Sequence, residues 1–520
     1  MSRLATPAPQ ARSLAKAPPP AQQSKALALG NFLRKVAPLS AFAAEPPAHP
    51  SAVPPVQGDI RTPVGTKPFK VSIHVPVCNE PPEIVCGTLD ALSRLDYPNF
   101  EVLVIASNTN DPALWEPVAR HCARLGSRFR FFHLGPWPGF KAGALNFALG
   151  EAAPDAAIIG VIRSGLIVSS DWLHSMVPAF ADPKLGFALS PEACRDNGET
   201  LLKRLMFWEQ ARVPRLGMMS RDGRDPIIAQ DAMLLIRAAA IRAAGGWAEG
   251  CAVEETELGL RLMRHGWQGI AVRKSFGERV VRDDFASWRK QRFRQAYGAV
   301  RIGEIHWRAL LSPFGRELSF GQRWRFLVCW LSALGAGLGL LFLLTGLAWS
   351  ILLILTPGPI APSLLPFILS SLGLAIFAHA GPFLLYRRLG PFSPGAEVAG
   401  AIAGLASSHT TGKAALWGLT AQPVPRLNMP LLGDAPWFVR GIVSAREEFC
   451  ILLLTWAAMA GVVAVHGLAN GMVKLWCLTL LIQSLPYVAA VAVSILAAMP
   501  APPNRVPVEA VKAAHFRNRQ

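Results

Sequence analysis

Apolar positions change rhythm once along this chain. From Lys67 to about Arg325 they come in short blocks separated by polar and turn-forming residues; from Phe326 onward they run almost unbroken. In the first region Val71-Ser-Ile-His-Val-Pro76, Phe100-Glu-Val-Leu-Val-Ile105, Phe129–Leu134 and Ala156–Ile162 are short blocks rich in β-branched or aromatic residues, which predicts buried strands. Helical spacing between them predicts helices over Glu83–Arg94, Ala113–Leu125 and Ala142–Leu149. Alternation of this kind implies an α/β domain whose parallel sheet carries helices on both faces. Ligands of such sheets sit outside the carboxyl ends of the strands. Glu80, Ala106 and Arg163-Ser-Gly165 all fall at those ends, so they are expected to share one crevice.

The second region predicts an α-helical bundle in a membrane. Phe326–Leu355, Ala361–Tyr386, Phe449–Val465 with its flanks and Leu475–Met499 are each long and apolar enough to cross a bilayer, which makes four firm spans within 326–500. Ala396–Leu419 is a weaker fifth, because its Gly, Ser, His and Lys residues suit an interfacial segment better. Basic residues orient the spans: Arg387 and Arg388, Arg440 and Arg446, and Arg505, Lys512, Arg517 and Arg519 all flank the same side. The positive-inside rule then makes the globular region and both termini cytoplasmic, on an inner membrane. Residues 311–325 are expected to be an interfacial linker and 501–520 a basic cytoplasmic tail. Residues 1–66, rich in Pro, Ala and Gln, are expected to be mostly disordered. Within them Ala26–Ala44 reads either as a linker or as a short basic amphipathic helix against the membrane.

Composition agrees with this division. Hydrophobic residues make up 51% and charged residues 17%, an imbalance that the apolar second region explains. The formal net charge of +18 suits a surface beside anionic lipid. Nucleic acid is not an expected partner, since no recognisable module or basic–aromatic array accompanies the charge. Eight cysteines without C-x-x-C pairs indicate neither a disulfide framework nor a zinc site.

Several segments together carry a family resemblance. Val71–Glu80, Leu89-Asp-Ala-Leu-Ser-Arg-Leu-Asp-Tyr-Pro-Asn-Phe-Glu-Val-Leu-Val-Ile105, Gly139–Leu149, Glu254-Glu-Thr-Glu-Leu-Gly-Leu-Arg-Leu262 and Gln291-Arg-Phe-Arg294 occur in the order seen in family 2 glycosyltransferases. The chain is most similar to the membrane-embedded β-glucan and cellulose-synthase-like branch. That resemblance implies a cytoplasmic GT-A (Rossmann-like) domain over 67–310 that takes a UDP-sugar, and a helical bundle that passes glucan outward. It also implies donor-binding roles for Glu80, Lys141, Arg163 and Arg294, and an acceptor region at Gln291 and Gln295.

The same resemblance exposes what is missing. Relatives carry aspartates where this chain has Ala106, Arg163 and Gly165; the last two stand for a metal-binding D-x-D. A cation bridging donor phosphates needs hard oxygen ligands, so no divalent metal is expected. Arg163 either contacts phosphate itself or fills the vacated space. The family's base aspartate corresponds to Glu255, a weaker candidate because its arm is one methylene longer. Glu254, Glu255 and Glu257 also suit the opening of a helix. The tryptophan of the Q-x-x-R-W signature is Gln295, which offers a sugar ring little apolar face. Arg289, Lys290, Arg292 and Arg294 also fit a basic helix on the membrane surface. Ala229–Met233 and Val424–Met429 depart from the family pattern as well, while Thr411-Gly-Lys413 resembles a gating element. The resulting expectation is a catalytically silent homologue partnered with an active polysaccharide synthase. The alternative is an active, metal-independent β-glycosyltransferase with Glu255 as base and Arg163 in place of the metal.

Overall fold

Strand β1 (Lys70–Val77) and strand β2 (Phe100–Ser107) are buried along nearly their whole length, which is why their sequences read as continuous apolar blocks. Alternate residues supply opposite faces of the sheet. Val71, Ile73 and Val75 join one core with Leu89, Leu92 and Val118, while Leu103 and Ile105 join the other with Leu145, Trp247 and Leu260. The computed structural model describes residues 68–194, 202–203, 205–206, 225–228, 232–272, 274–279, 285–312, 317–356, 365–373, 376, 394–420 and 435–499. The expectations for 1–66, 229–231, 424–429 and 501–520 lie outside these residues.

The remaining elements of the first region are α1 (Pro82–Ser93), α2 (Pro112–Leu125), β3 (Phe129–Leu134), α3 (Phe140–Glu151), β4 (Ala156–Val161), β5 (Leu166–Val168), α4 (Trp172–Met176), β6 (Leu185–Pro191), β7 (Ala193–Cys194), β8 (Ala232–Arg237), α5 (Ala238–Ala243), α6 (Glu254–Arg264), β9 (Gln268–Ala271) and β10 (Gly277–Arg279). Helix starts follow local chemistry: Pro82 and Pro112 occupy first-turn positions, and the Asp111 side chain accepts from the Ala113 N–H. The main sheet runs β3-β2-β1-β4-β8-β6-β9, and β5-β10-β7 form a small second sheet.

The expected all-parallel sheet is in fact mixed. β8 is antiparallel to both β4 and β6. An apolar block reads alike in either direction, so direction left no mark in the sequence. The chain adds β2 and β3 on one side of β1 and β4 on the other. A ligand crevice therefore opens beyond the carboxyl ends of β1 and β4.

Helix α7 (Phe285–Leu311) leads into the second region, followed by α8 (Phe320–Leu355), α9 (Pro394–Leu419), α10 (Trp437–Ser444), α11 (Arg446–His466) and α12 (Gly471–Ala498). Among the described residues α8, α11 and α12 are long and apolar enough to cross a membrane. The other expected span, Ala361–Tyr386, lies partly outside the described residues, of which 365–373 are helical. The linker expected over 311–325 is shorter, because a Ser319–Gln322 capping box starts α8 at Phe320. Helix α9 joins the helical bundle. It packs against α7, α8 and α12, and a methyl on Gly412 would stand 2.6 Å from the Ala336 carbonyl oxygen. Its small residues let neighbouring backbones come close, as at Gly412.

Candidate active site

The crevice is floored by three strand ends. Register pairs Val77 with Ala106 and Ala106 with His133, so β1, β2 and β3 stop together. The loops beyond them are laced by asparagines. The Asn79 N–H donates to Thr109 Oγ1 at 2.9 Å, its side-chain amide to the Asn108 carbonyl at 3.1 Å, and the Trp137 N–H to Asn108 Oδ1 at 3.0 Å. Asn79 and Asn108 hold φ of 51° and 53°, a region asparagine tolerates. Ala106 is fully enclosed between these strands.

On the β4 side Arg163 leaves the strand two residues after Val161. Its Nε lies 3.1 Å from Oε1 of Glu192, and Arg279 Nε lies 3.5 Å from the other oxygen. Arg163 keeps 30% exposure, so its guanidinium lies at the surface of the crevice while its charge is shared with a buried carboxylate. Glu192 was missed in the sequence. It follows β6, whose carboxyl end shares the sheet edge with that of β4, and the segment Ser190-Pro-Glu192 carries no motif to flag it. Gly165 has φ +82°, and its N–H donates to Thr88 Oγ1 at 2.9 Å.

Glu255 and Lys141 do come together. Lys141 occupies the first turn of α3, and its Nζ hydrogen-bonds Glu255 Oε1 and lies 3.0 Å from Glu254 Oε1. Both glutamates open α6, the predicted placement, yet they are buried rather than facing solvent. Burial works against the Lys141 cation, but the two carboxylates outweigh it and hold its pKa above the ordinary lysine value. Burial, then the charge of Glu255, pushes the Glu254 carboxyl up. The Glu255 side chain is 7% exposed, and its second oxygen, Oε2, is buried with no hydrogen-bond partner among the described residues.

Glu257 does different work. Arg261 holds it at 2.8 Å and His306 Nε2 at 3.1 Å, tying α6 to α7. Gly298 of α7 sits where any side chain would run into Val253, the residue that precedes α6. This contact brings Arg294 in, and its Nη2 donates to the Ala252 carbonyl at 3.4 Å. Arg294 is thus placed beside the acidic turn. Gln295 accepts from Arg292 at 2.9 Å, and Gln291 lies one helical turn before it on the same helix. Arg289 is not on an open membrane surface: it reaches Glu448 at 3.0 Å. Lys413 pairs with Glu447 at 2.7 Å. Glu80 is half-buried beyond the end of β1.

One further residue stands out. Phe140 begins α3 with φ 49°, directly after Gly139 at φ 74°. A bulky residue in that region costs on the order of 1–3 kcal/mol. Its phenyl ring is nevertheless 80% exposed, so core packing does not offset the strain. Among the described residues, no three or more His, Cys, Asp or Glu side chains converge to hold a metal ion. The carboxylates near the crevice are instead held by Arg163, Arg279 and Lys141.

Comparison with known proteins gives this geometry a family. The model described as "Glycosyl transferase family 2" matches residues 72–243, and "Glycosyl transferase family group 2" matches 166–378. A β-monoglucosyldiacylglycerol synthase from Synechocystis sp. is 30% identical over 286 residues, covering 52% of this chain and 55% of its own. Glucomannan 4-β-mannosyltransferase 1 from Cyamopsis tetragonoloba is 25% identical, covering 45% of each. The chain thus spans about half the length of the curated relatives it matches. Among solved structures, mannosyltransferase PcManGT from Pyrobaculum calidifontis, in complex with GDP-Man and Mn2+, aligns over 90% of this chain and 97% of its own at 17% identity and a TM-score of 0.36. S. aureus TarS 1–349 aligns over 70% of this chain and 95% of its own at 14% identity and a TM-score of 0.34. Through residues 72–378, this chain belongs to the family 2 glycosyltransferases.

Proposed function

We propose that this protein is a membrane-bound family 2 glycosyltransferase homologue that has lost sugar transfer. It acts in polysaccharide synthesis or export of the β-glucan type, as partner or regulator of an active, cellulose-synthase-like synthase. Its globular domain lies on the cytoplasmic side of an inner membrane. One observation carries the reading: the nucleotide position is an enclosed alanine, and the two cation-site positions are an arginine paired with Glu192 and a glycine at φ +82°. None supplies an oxygen to a metal–diphosphate complex. Calorimetric titration of the purified protein with UDP, with and without magnesium, tests it. Expected is no magnesium-dependent heat; micromolar, metal-dependent binding refutes the proposal.

Glu255, whose buried Oε2 has no hydrogen-bond partner among the described residues, favours a second reading, an active transferase that needs no metal. In that reaction an acceptor hydroxyl oxygen bonds to the anomeric carbon of a UDP-sugar. The bond from that carbon to the phosphate oxygen breaks, UDP departs with the bonding electrons, and the hydroxyl proton passes to Glu255. Lys141, Arg163 and Arg294 would supply positive charge for the diphosphate. The relatives' names span a glucosylated diacylglycerol and a glucomannan, which supports hexosyl transfer to either a lipid or a polysaccharide. Transfer from radiolabelled UDP-glucose in membranes would then persist in EDTA and fall about 100-fold or more in Glu255→Gln. Loss of transfer on chelation overturns this second reading.

A further inference from the structure

We infer that the acidic turn of α6 is an autoinhibitory latch: Glu254 and Glu255 engage Lys141 and so close the crevice to a diphosphate. The inference rests on the family 2 reading of this crevice, in which Lys141 is a diphosphate-binding cation. It adds a second reason for silence to the missing metal ligands. The Lys141 ammonium is already engaged inside the protein. Its Nζ hydrogen-bonds Glu255 Oε1 and lies 3.0 Å from Glu254 Oε1. The side chains of Glu254 and Glu255 are 3% and 7% exposed, whereas that of Lys141 keeps 34%. Part of the lysine thus meets solvent while its charged end is turned into the acidic turn.

Charge and packing make this contact hard to open. Among the described residues two carboxylates meet this one ammonium, so a phosphate approaching Lys141 is repelled by the surplus negative charge. Turning the lysine outward would leave Glu254 and Glu255 side by side, buried and without their cation. Breaking a buried pair in this way is strongly unfavourable. The strain between the carboxylates already shows in Glu254, whose pKa is pushed up by burial and then by the charge of Glu255. Both sides of the contact are also braced. Asn146 of α3 accepts from the Trp247 N–H at 2.8 Å and donates to the Trp247 carbonyl at 3.0 Å, which ties the helix of Lys141 to the segment leading into α6. A methyl on Gly143 would run into the Pro138 carbonyl oxygen, so the first turn of α3 is fixed against the loop before it. Arg163 is held in the same manner, by buried Glu192 at 3.1 Å. An anionic ligand therefore has to displace internal carboxylates before it reaches a cation.

The test uses full-length protein in detergent with EDTA present, and takes UDP and inorganic pyrophosphate as separate probes in calorimetric titration. Glutamine matches glutamate in shape, and Lys141 can reach water once released, so Glu254→Gln with Glu255→Gln opens the latch without emptying space. Both probes should bind this double variant about 10-fold or more tighter than wild type, and Glu254→Gln alone should show part of the gain. Adding Lys141→Met should abolish it. Unchanged affinity in the double variant overturns the inference. A gain that survives Lys141→Met is an effect of net charge alone and overturns it too. Reductive methylation of wild-type protein, read by mass spectrometry against the exposed Lys184, reports on the latch even if the variants do not fold. Lys141 should react about 3-fold or more slowly than Lys184. Labelling as fast as Lys184 means that the contact is open and overturns the inference as well. Magnesium-dependent UDP binding by wild type would instead refute the silent reading, while the metal-free titrations still decide the latch.

Discussion

Aspartate cannot simply be returned to the strand ends. Ala106 has no exposure worth the name and lies between β1 and β3, so Ala106→Asp buries a carboxylate with no cation beside it. Such a group destabilises by about 3 kcal/mol or more. Gly165→Asp asks a side chain to adopt φ +82° and places its Cβ 3.3 Å from Ile84 Cγ2. Both variants should melt well below wild type, and the combined variant should not recover UDP-sugar transfer. A triple variant with Arg163→Asp that melts normally and binds magnesium would contradict this. At this scale the absent carboxylates were legible in the sequence, because they interrupt a recognisable pattern. Their replacements' partners were not. Arg163 and Glu192 are far apart in the chain and meet only once β4 and β6 lie in one sheet.

Elements were read well where a short block or a helical stripe made them, and poorly where packing decided. The ranges of β1, β2, β3, β4 and α2 agree with the apolar spacing to within a few residues. The reversed β8 depends on neighbours that no local pattern names. The α6–α7 contact is of the same kind and can be tested. Gly298→Ala forces a methyl against Val253 and should cost about 1–3 kcal/mol, read as a lower melting temperature. The same junction predicts a pH dependence. Burial raises the Glu257 pKa, but hydrogen bonds from His306 and Arg261 outweigh it and hold it below the usual glutamate value. Because the folded-state value is depressed, its stabilisation is complete above the unfolded pKa of about 4.3 and is lost as pH falls through the lower folded value. Removing one donor, as in His306→Ala, lets the folded pKa rise toward the ordinary one. The fall in melting temperature on acidification across pH 3–6 (roughly the window these values define) should then be shallower than in wild type, from a lower starting value at neutral pH. An unchanged acid limb would show that Glu257 owes its low pKa to Arg261 alone.

The two regions of the molecule are joined through charge as well as through chain. The apolar runs announced a bundle, and the strand–helix alternation announced a domain, but nothing in either announced the coupling between them. Helix α7 provides it. Its far end holds α6 through Glu257 and His306, and its first turns enter the bundle, where Arg289 meets Glu448 at 3.0 Å. Arg289 also donates to Thr410 Oγ1 on α9 at 3.1 Å and to the Ser444 carbonyl at 2.7 Å. Glu448 is 0% exposed, so this carboxylate depends on its partner. Arg289→Ala leaves it buried and uncompensated, which should cost about 3–5 kcal/mol. Replacing both charges, Arg289→Met with Glu448→Leu, removes the desolvation cost along with the attraction and should restore most of the loss. If the pair couples the regions, the single variant should also let protease separate the globular domain from the helices, and the double variant should not. Thermal unfolding and limited proteolysis in detergent read both outcomes. A single variant that melts and cleaves like wild type would mean that packing alone joins α7 to the bundle.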